Sequence, residues 1–188
     1  MQIKTEHKLA KALKEMMSKQ PLDSISVMSL AKACNVNRKT FYYHFHDIYD
    51  LLTQVFLDEK IPGIKDVTDI NSLNKKIFDY YSENKNFIDA TLSSAGRDLF
   101  EEFMYNTCYQ SFIKFINSNS NSKKIAIIDK KSIARFYASG YSSLIVFYLS
   151  NYRIKSLDGL KKFTSFLGIK FLDTAIKRVI EIREKEQK

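Results

Sequence analysis

The chain is predicted to be all-α, and three observations carry that expectation. Only five glycines and two prolines punctuate its 188 residues, against usual shares of about 7% and 5%, which favours uninterrupted helices over hairpins. Apolar residues recur at three- and four-residue spacing along most of the chain, the period of an amphipathic helix. Finally, 45% hydrophobic against 27% charged residues is the composition of an ordinary folded protein. A chain of this size buries roughly 70% of its unfolded surface and needs no metal or disulfide scaffold.

The elements follow in order. Leu9, Ala10, Leu13, Met16 and Met17 share one face from about Ile3 to Lys19, with Lys4, Lys8 and Lys11 on the other. Gln20-Pro21 ends that helix, because proline disfavours helical geometry in the residue before it. Ser26 is placed to cap a helix from Val27, with Leu30, Ala31 and Cys34 inward. Asn35 then makes a sharp turn cheap, since asparagine visits the left-handed region readily. Asn37 caps a second short helix with Phe41 and Phe45 one turn apart and Val36 as a hydrophobic staple. Two short helices around a tight turn form a helix-turn-helix.

A connecting helix is expected over 48–60, carrying Ile48, Leu51, Leu52, Val55 and Phe56 on one side and stopped by Pro62-Gly63. Further helices are expected at about 69–84, 85–93, 96–118, 130–150, 156–167 and 169–185, with a polar loop at 117–122 and no internal repeat. The expected domains are 1–60, including the connecting helix at 47–60, and a larger helical domain at 61–188.

A formal charge of +9 suggests a polyanionic partner. Residues 1–45 hold eight Lys/Arg against three acids, and 161–188 hold eight against four. The excess is densest at the front, although charge alone does not single out one surface. The N-terminal stretch has charges throughout and no apolar signal region. The run LIVFYL at 144–149 is far shorter than the roughly 20 residues of a membrane span. A cytoplasmic protein that does not enter a membrane is expected, with Cys34 and Cys108 as reduced, small apolar residues.

With Phe41 and Phe45 inward, helical geometry sends Arg38, Lys39, Thr40, Tyr42, Tyr43 and His44 around the outer faces. Such a surface suits a major groove: Arg or Lys reads guanine edges, a threonine methyl meets a thymine methyl, and tyrosine hydroxyls bond phosphate oxygens. The alternative is a solvated basic face with core tyrosines. What favours the groove is the ordered set, from the lysine-edged first helix through Ser26 to the turn at Asn35.

The stretch ISVMSLAKACNVNRKTFYYHFHDIYDLL resembles the DNA-binding domain of the TetR/AcrR one-component transcriptional regulators. The family pattern runs hydroxyl residue, apolar helix, Ala, small turn residue, Val, polar cap, then T-[LF]-Y-x-[HY]-F and an acidic, leucine-containing helix. The match covers about residues 5–56. It implies that Asn37, Arg38, Lys39 and Thr40 open the recognition helix, that Thr40, Tyr42, Tyr43 and His44 contact bases or phosphates, and that Ser26 reaches the backbone from the preceding helix. The chain departs from the family at Ile48, where many members carry a phosphate-binding lysine; His46 or Tyr49 is the candidate replacement. Asn35 stands where a turn glycine is common.

The resemblance also implies a C-terminal domain that dimerises through its last long helices and encloses a pocket. The segment RFYASGYSSLIVFYL presents apolar groups on more than one face. Leu144, Phe147 and Tyr148, with Leu172, Ile176, Val179 and Ile180, are therefore the dimer-seam candidates, with Gly140 permitting close approach; packing inside the subunit is the alternative. Phe78, Tyr81, Phe103, Phe112, Phe136, Tyr137 and Tyr141 are the candidates to line an apolar effector cavity, or they are ordinary core.

No catalytic set stands out. His44 and His46 are two apart, which points them in different directions on a helix, and GxSxG, HExxH and P-loop motifs are absent. Neither a metal nor a cofactor is expected, and an enzyme is not. The expected function is a homodimeric transcriptional repressor that binds a palindromic double-stranded operator and is released by a small-molecule effector. The competing expectation is a TetR-like interaction module without autonomous DNA binding.

Overall fold

The polypeptide, a computed structural model, is described over residues 5–151, 155–165 and 169–186. Ten α-helices and three short 3-10 turns, with no strand, make up these residues. The helices are α1 (Thr5–Met17), α2 (Val27–Ala33), α3 (Arg38–His44), α4 (Ile48–Asp58), α5 (Ile70–Glu83), α6 (Lys85–Leu92), α7 (Arg97–Ser118), α8 (Ile127–Asn151), α9 (Leu157–Thr164) and α10 (Ile169–Glu186). Each lies where the apolar periodicity puts it, within three residues at the described ends. Ile3 and Lys4, and residues 166–167 at the expected end of the ninth helix, lie outside the described residues. The polar 117–122 segment is shorter as a loop than its composition suggests. α7 runs through Ser118, a 3-10 turn occupies Ser122–Lys124, and Lys130 bridges Asn117 and Ser122.

Contacts group the chain into two units. One comprises Met1–Lys60 with Tyr81–Phe103, the other Ile61–Tyr80 with Met104–Lys188. The chain leaves the first unit at Ile61 and returns to it at Tyr81, for the end of α5, α6 and the first turns of α7. Aromatic packing explains the return. Phe56 of α4 stacks on Phe87 of α6 at 5.6 Å and meets Phe103 at 5.7 Å and Phe100 at 6.1 Å. Gly96 permits this approach, because a Cβ there would stand 2.4 Å from Leu52 Cδ2.

In the first unit, α1 buries Leu9, Ala10, Leu13 and Met17 and keeps Lys8 and Lys11 exposed. It is tied to the end of α4 by two polar contacts: His7 Nδ1 lies 2.6 Å from Asp58 Oδ2, and Lys14 Nζ donates to Glu59 Oε2 at 2.7 Å. The Lys14 ammonium also sits 5.2 Å from the Phe87 ring centre, a cation-π contact.

The second unit is built around α7 and α8, which are apolar on several faces. Cys108, Phe112 and Ile116 of α7 and Ala134, Ala138, Tyr141 and Ile145 of α8 are fully enclosed. Within it lies a chain of buried polar groups. Tyr141 Oη donates to Asn74 Oδ1 at 2.5 Å, Asn74 Nδ2 donates to Thr164 Oγ1 at 2.9 Å, and Thr164 Oγ1 donates to the Leu160 carbonyl at 2.8 Å. Burial pushes the Tyr141 phenol and the Cys108 thiol well above their ordinary values. Arg183 of α10 closes on Asp129 of α8 through Nε and Nη2 at 3.0 and 2.9 Å and lowers that carboxyl.

Candidate nucleic-acid interface

The turn between α2 and α3 follows from its residues. Ser26 Oγ accepts from the Ser29 N–H at 3.0 Å while Ser29 Oγ accepts from the Ser26 N–H at 3.1 Å, a reciprocal capping box. Asn35 adopts φ 52°, and no other non-glycine described residue has a positive φ. Asn37 then caps α3, its Oδ1 accepting from the Thr40 N–H at 2.8 Å and from the Thr40 hydroxyl at 3.1 Å. Phe41, with 0% of its surface accessible, and Phe45 fix α3 to the unit.

That anchoring decides what α3 presents outward. Arg38, Lys39, Tyr42 and Tyr43 are exposed, Tyr43 to 85%. Arg38 and Tyr42 lie on one edge, Lys39 and Tyr43 on the next, since residues four apart share a face. The surface is cationic and rich in donors, and its aromatic rings are not needed by the core. Met28 of α2, 68% exposed, adds an apolar side chain.

Four of the expected contact residues, Ser26, Asn37, Thr40 and His44, already have partners within the protein. Ser26 and Asn37 spend their side-chain oxygens on helix caps. His44 is turned back toward α1, its Nδ1 3.1 Å from Glu6 Oε1 and its side chain only 18% exposed. The motif places His44 on the recognition helix, but the helix turn puts it beside a carboxylate 38 residues earlier in the chain. Thr40 is half-buried.

Ile48 is the first residue of α4 and is half-buried. Asp47 caps the helix by accepting from the Asp50 N–H at 2.8 Å, and Asp50 Oδ2 accepts from the His46 N–H at 2.9 Å. Two carboxylates therefore occupy the helix terminus that would otherwise attract a phosphate. The Tyr49 hydroxyl donates to Asp23 Oδ1 at 3.0 Å, and that hydrogen bond raises the phenol above its ordinary value. His46 is exposed.

The aromatic residues expected in a cavity are divided between the two units. Tyr81, whose hydroxyl donates to Asp89 Oδ1 at 3.1 Å, and Phe103 belong to the first unit. In the second, Phe112 packs against Tyr141 and Tyr137, each at 5.6 Å, and burial raises the Tyr137 phenol; Phe78 is half-buried. Phe136 is 77% exposed and lines no interior, because it lies on the outer side of α8. Of the seam candidates, Tyr148, Leu172 and Ile176 are buried; Tyr148 bonds Ser156 at both backbone groups. Leu144, Val179 and Ile180 are half-buried and Phe147 is exposed.

Among the described residues no group of three or more His, Cys, Asp or Glu is arranged to hold a metal ion, and no helix is long and apolar enough to cross a membrane.

A capped helix-turn-helix with a cationic outer helix, joined to a helical second unit, defines a helix-turn-helix DNA-binding regulator. Comparison with known proteins makes this specific. Residues 9–55 match the family described as bacterial regulatory proteins, tetR family, and residues 68–158 match its transcriptional regulator C-terminal region. The chain belongs to the TetR family of transcriptional regulators. Its fold is similar to that of the dihydroxyacetone kinase operon activator DhaS, with 21% identity, a TM-score of 0.58, and coverage of 95% of this chain and 97% of that one. It is also similar to a tetR-family transcriptional regulator from Streptomyces coelicolor, with 14% identity, a TM-score of 0.57, and coverage of 96% and 90%. No curated protein matches.

Proposed function

We propose that this TetR-family regulator acts as a homodimeric repressor, each subunit laying α3 in the major groove of one half of a palindromic operator, and that a small molecule bound by the second unit releases it. The observation that carries the reading is the outer side of α3, where Arg38, Lys39, Tyr42 and Tyr43 stand exposed while Phe41 and Phe45 hold the helix from behind. A two-fold protein fits two-fold DNA, with half-sites about 10 base pairs apart or a multiple of that.

A second copy is assigned to the outer side of α8, where Phe136 and Phe147 flank Ser143 and Gly140, beside which a Cβ would meet nothing within 4 Å. Val179, Ile180 and the exposed Ile182 of α10 add apolar area. The effector is assigned to the aromatic interior around Phe112, Tyr137 and Tyr141. It can act only by binding the DNA-competent and released states unequally.

Asp47 and Asp50 at the start of α4 favour a second reading, in which the protein works with another regulator and binds DNA weakly alone. The similar fold of a protein named as an operon activator makes activation the alternative to repression. Selection of bound duplexes from a random pool at two salt concentrations separates the readings. Repression by direct binding predicts a palindromic motif and an affinity that falls steeply with salt, with a logarithmic slope of about −0.9 per phosphate held. Weak binding without an enriched motif would overturn it in favour of the partner-dependent reading, and a reporter driven by the recovered motif gives the sign of regulation.

A further inference from the structure

We propose that Tyr42 is a positioning residue that holds the Arg38 guanidinium at the angle needed to read a guanine edge, so that one position of the operator is specified by the pair and not by Arg38 alone. The inference rests on the DNA-reading role of α3 proposed above and concerns how that helix discriminates.

Arg38 is the first residue of α3 and is exposed. An arginine in that position ordinarily wanders among many rotamers, and a guanidinium that must be ordered on binding loses part of what its hydrogen bonds contribute. Here it is already placed. Nη2 donates to the Tyr42 hydroxyl oxygen at 3.4 Å, and the guanidinium carbon lies 5.7 Å from the centre of the Tyr42 ring. Tyr42 is in turn fixed by an edge-on contact with Phe41, centroids 5.4 Å apart and planes at 88°. Phe41 is fully buried. Core, ring and guanidinium thus form one connected series.

The neighbours make the arrangement distinctive. His44 faces Glu6, Tyr49 is bonded to Asp23, and Asn37 and Ser26 close helix caps. Among the described residues no carboxylate forms an ion pair with Arg38. The charge is held by a neutral ring and stays available to DNA. A single donor is engaged, by a long contact, and the remaining donors of the planar fork can address guanine O6 and N7 together. Because the Tyr42 oxygen accepts from Arg38, its own proton is left to donate to a phosphate oxygen. Tyr42 would then grip the backbone and aim Arg38 at the adjacent base in one act.

The test repeats the duplex selection with the full-length wild type, Arg38→Ala, Tyr42→Phe, Tyr42→Leu and the Arg38→Ala/Tyr42→Leu double variant, each checked for unchanged thermal unfolding. The wild type is expected to prefer guanine at one position per half-site by about tenfold or more, and Arg38→Ala to erase that preference. Tyr42→Phe keeps the ring and should retain the preference within about twofold, while all sequences bind several-fold more weakly for want of the phosphate bond. Tyr42→Leu should reduce the preference by about fivefold or more, and should change no preference when Arg38 is already alanine. Full retention of the guanine preference in Tyr42→Leu would overturn the positioning role. A preference that survives Arg38→Ala would overturn it as well, since Arg38 would then not be the reader. Absence of any enriched motif with the wild type would instead sink the DNA-reading proposal itself, and this inference with it.

Discussion

Tyr141→Phe isolates one buried hydrogen bond. The substitution keeps the ring, which is fully enclosed and meets Phe112 edge-on at 5.6 Å, so packing is unchanged. It removes the donor to Asn74 Oδ1, in a residue only 1% exposed. The abandoned carbonyl oxygen has no water to turn to, and a buried acceptor left unsatisfied costs roughly 1–3 kcal/mol. The amide cannot escape by flipping, because its Nδ2 is engaged by Thr164 Oγ1, whose own proton goes to the Leu160 carbonyl. A loss of about 2 kcal/mol corresponds to a fall of about 4–8 °C in Tm for a chain of this length. Thermal and urea unfolding followed by circular dichroism, at one fixed protein concentration, measures it. Asn74→Leu in the Tyr141→Phe background removes the stranded acceptor and should recover part of the loss. A Tyr141→Phe variant within about 0.3 kcal/mol of wild type would refute the reasoning, since the hydroxyl would then not be serving a buried partner.

Two further outcomes follow from the same kind of accounting. Burial raises the Cys108 thiol above its ordinary 9.0, so the folded state keeps a proton that the unfolded chain releases. The associated stability is therefore complete below about pH 9 and is lost as pH rises from there toward the folded value, at a limiting slope of about 1.4 kcal/mol per pH unit. Urea unfolding from pH 8 to 10 should show the decline and Cys108→Ala should flatten it; identical slopes would remove Cys108 as the cause. Ile48→Lys restores a cation at the start of α4, and duplex binding should become steeper in salt by about 0.9 logarithmic units per subunit. An unchanged slope would mean that Asp47 and Asp50 neutralise the new lysine or that this helix end does not approach the phosphates.

What could be read from the sequence depended on whether the signal was local. Ser26, Asn37 and the Asn35 turn act within four residues of themselves, and caps and left-handed turns have residue preferences strong enough to read directly. The reciprocal role of Ser29 was harder to see because the capping box usually carries Glu or Gln at that position. Sequence places Arg38 and Tyr42 both outward, but it does not say that the guanidinium folds onto the ring. Partners distant in the chain were not legible. Nothing near His44 points to Glu6, and nothing near Tyr49 points to Asp23. Periodicity likewise shows that a face is apolar without showing what covers it. Leu172 and Ile176 look the same whether a neighbouring helix or a second subunit buries them, and α7 and α8, apolar on several sides, offer no preferred face at all. That is why Phe136 was expected inside and stands outside, and why Tyr81–Phe103 joins the unit carrying the reading helix.

The placement of polar groups in the first unit also bears on how such a regulator can tell one sequence from another. The caps at Ser26, Asn37 and Asp47 engage those side-chain oxygens within the protein, and the acids Glu6, Asp23 and Asp50 occupy His44, Tyr49 and the start of α4. What is left outward on α3 is a short set in which two cations alternate with two tyrosines. Two cations and two tyrosine hydroxyls can hold phosphates in any sequence, and that attraction carries no sequence information by itself. Discrimination then rests on the groups that reach base edges, and it depends on those groups being ordered before DNA arrives. A flexible Arg38 would contribute mostly charge, whereas one seated on Tyr42 contributes direction. If α3 reads DNA as proposed, the absence of a lysine at position 48 removes one phosphate contact from every sequence alike and leaves the ratio between right and wrong sequences to the recognition helix.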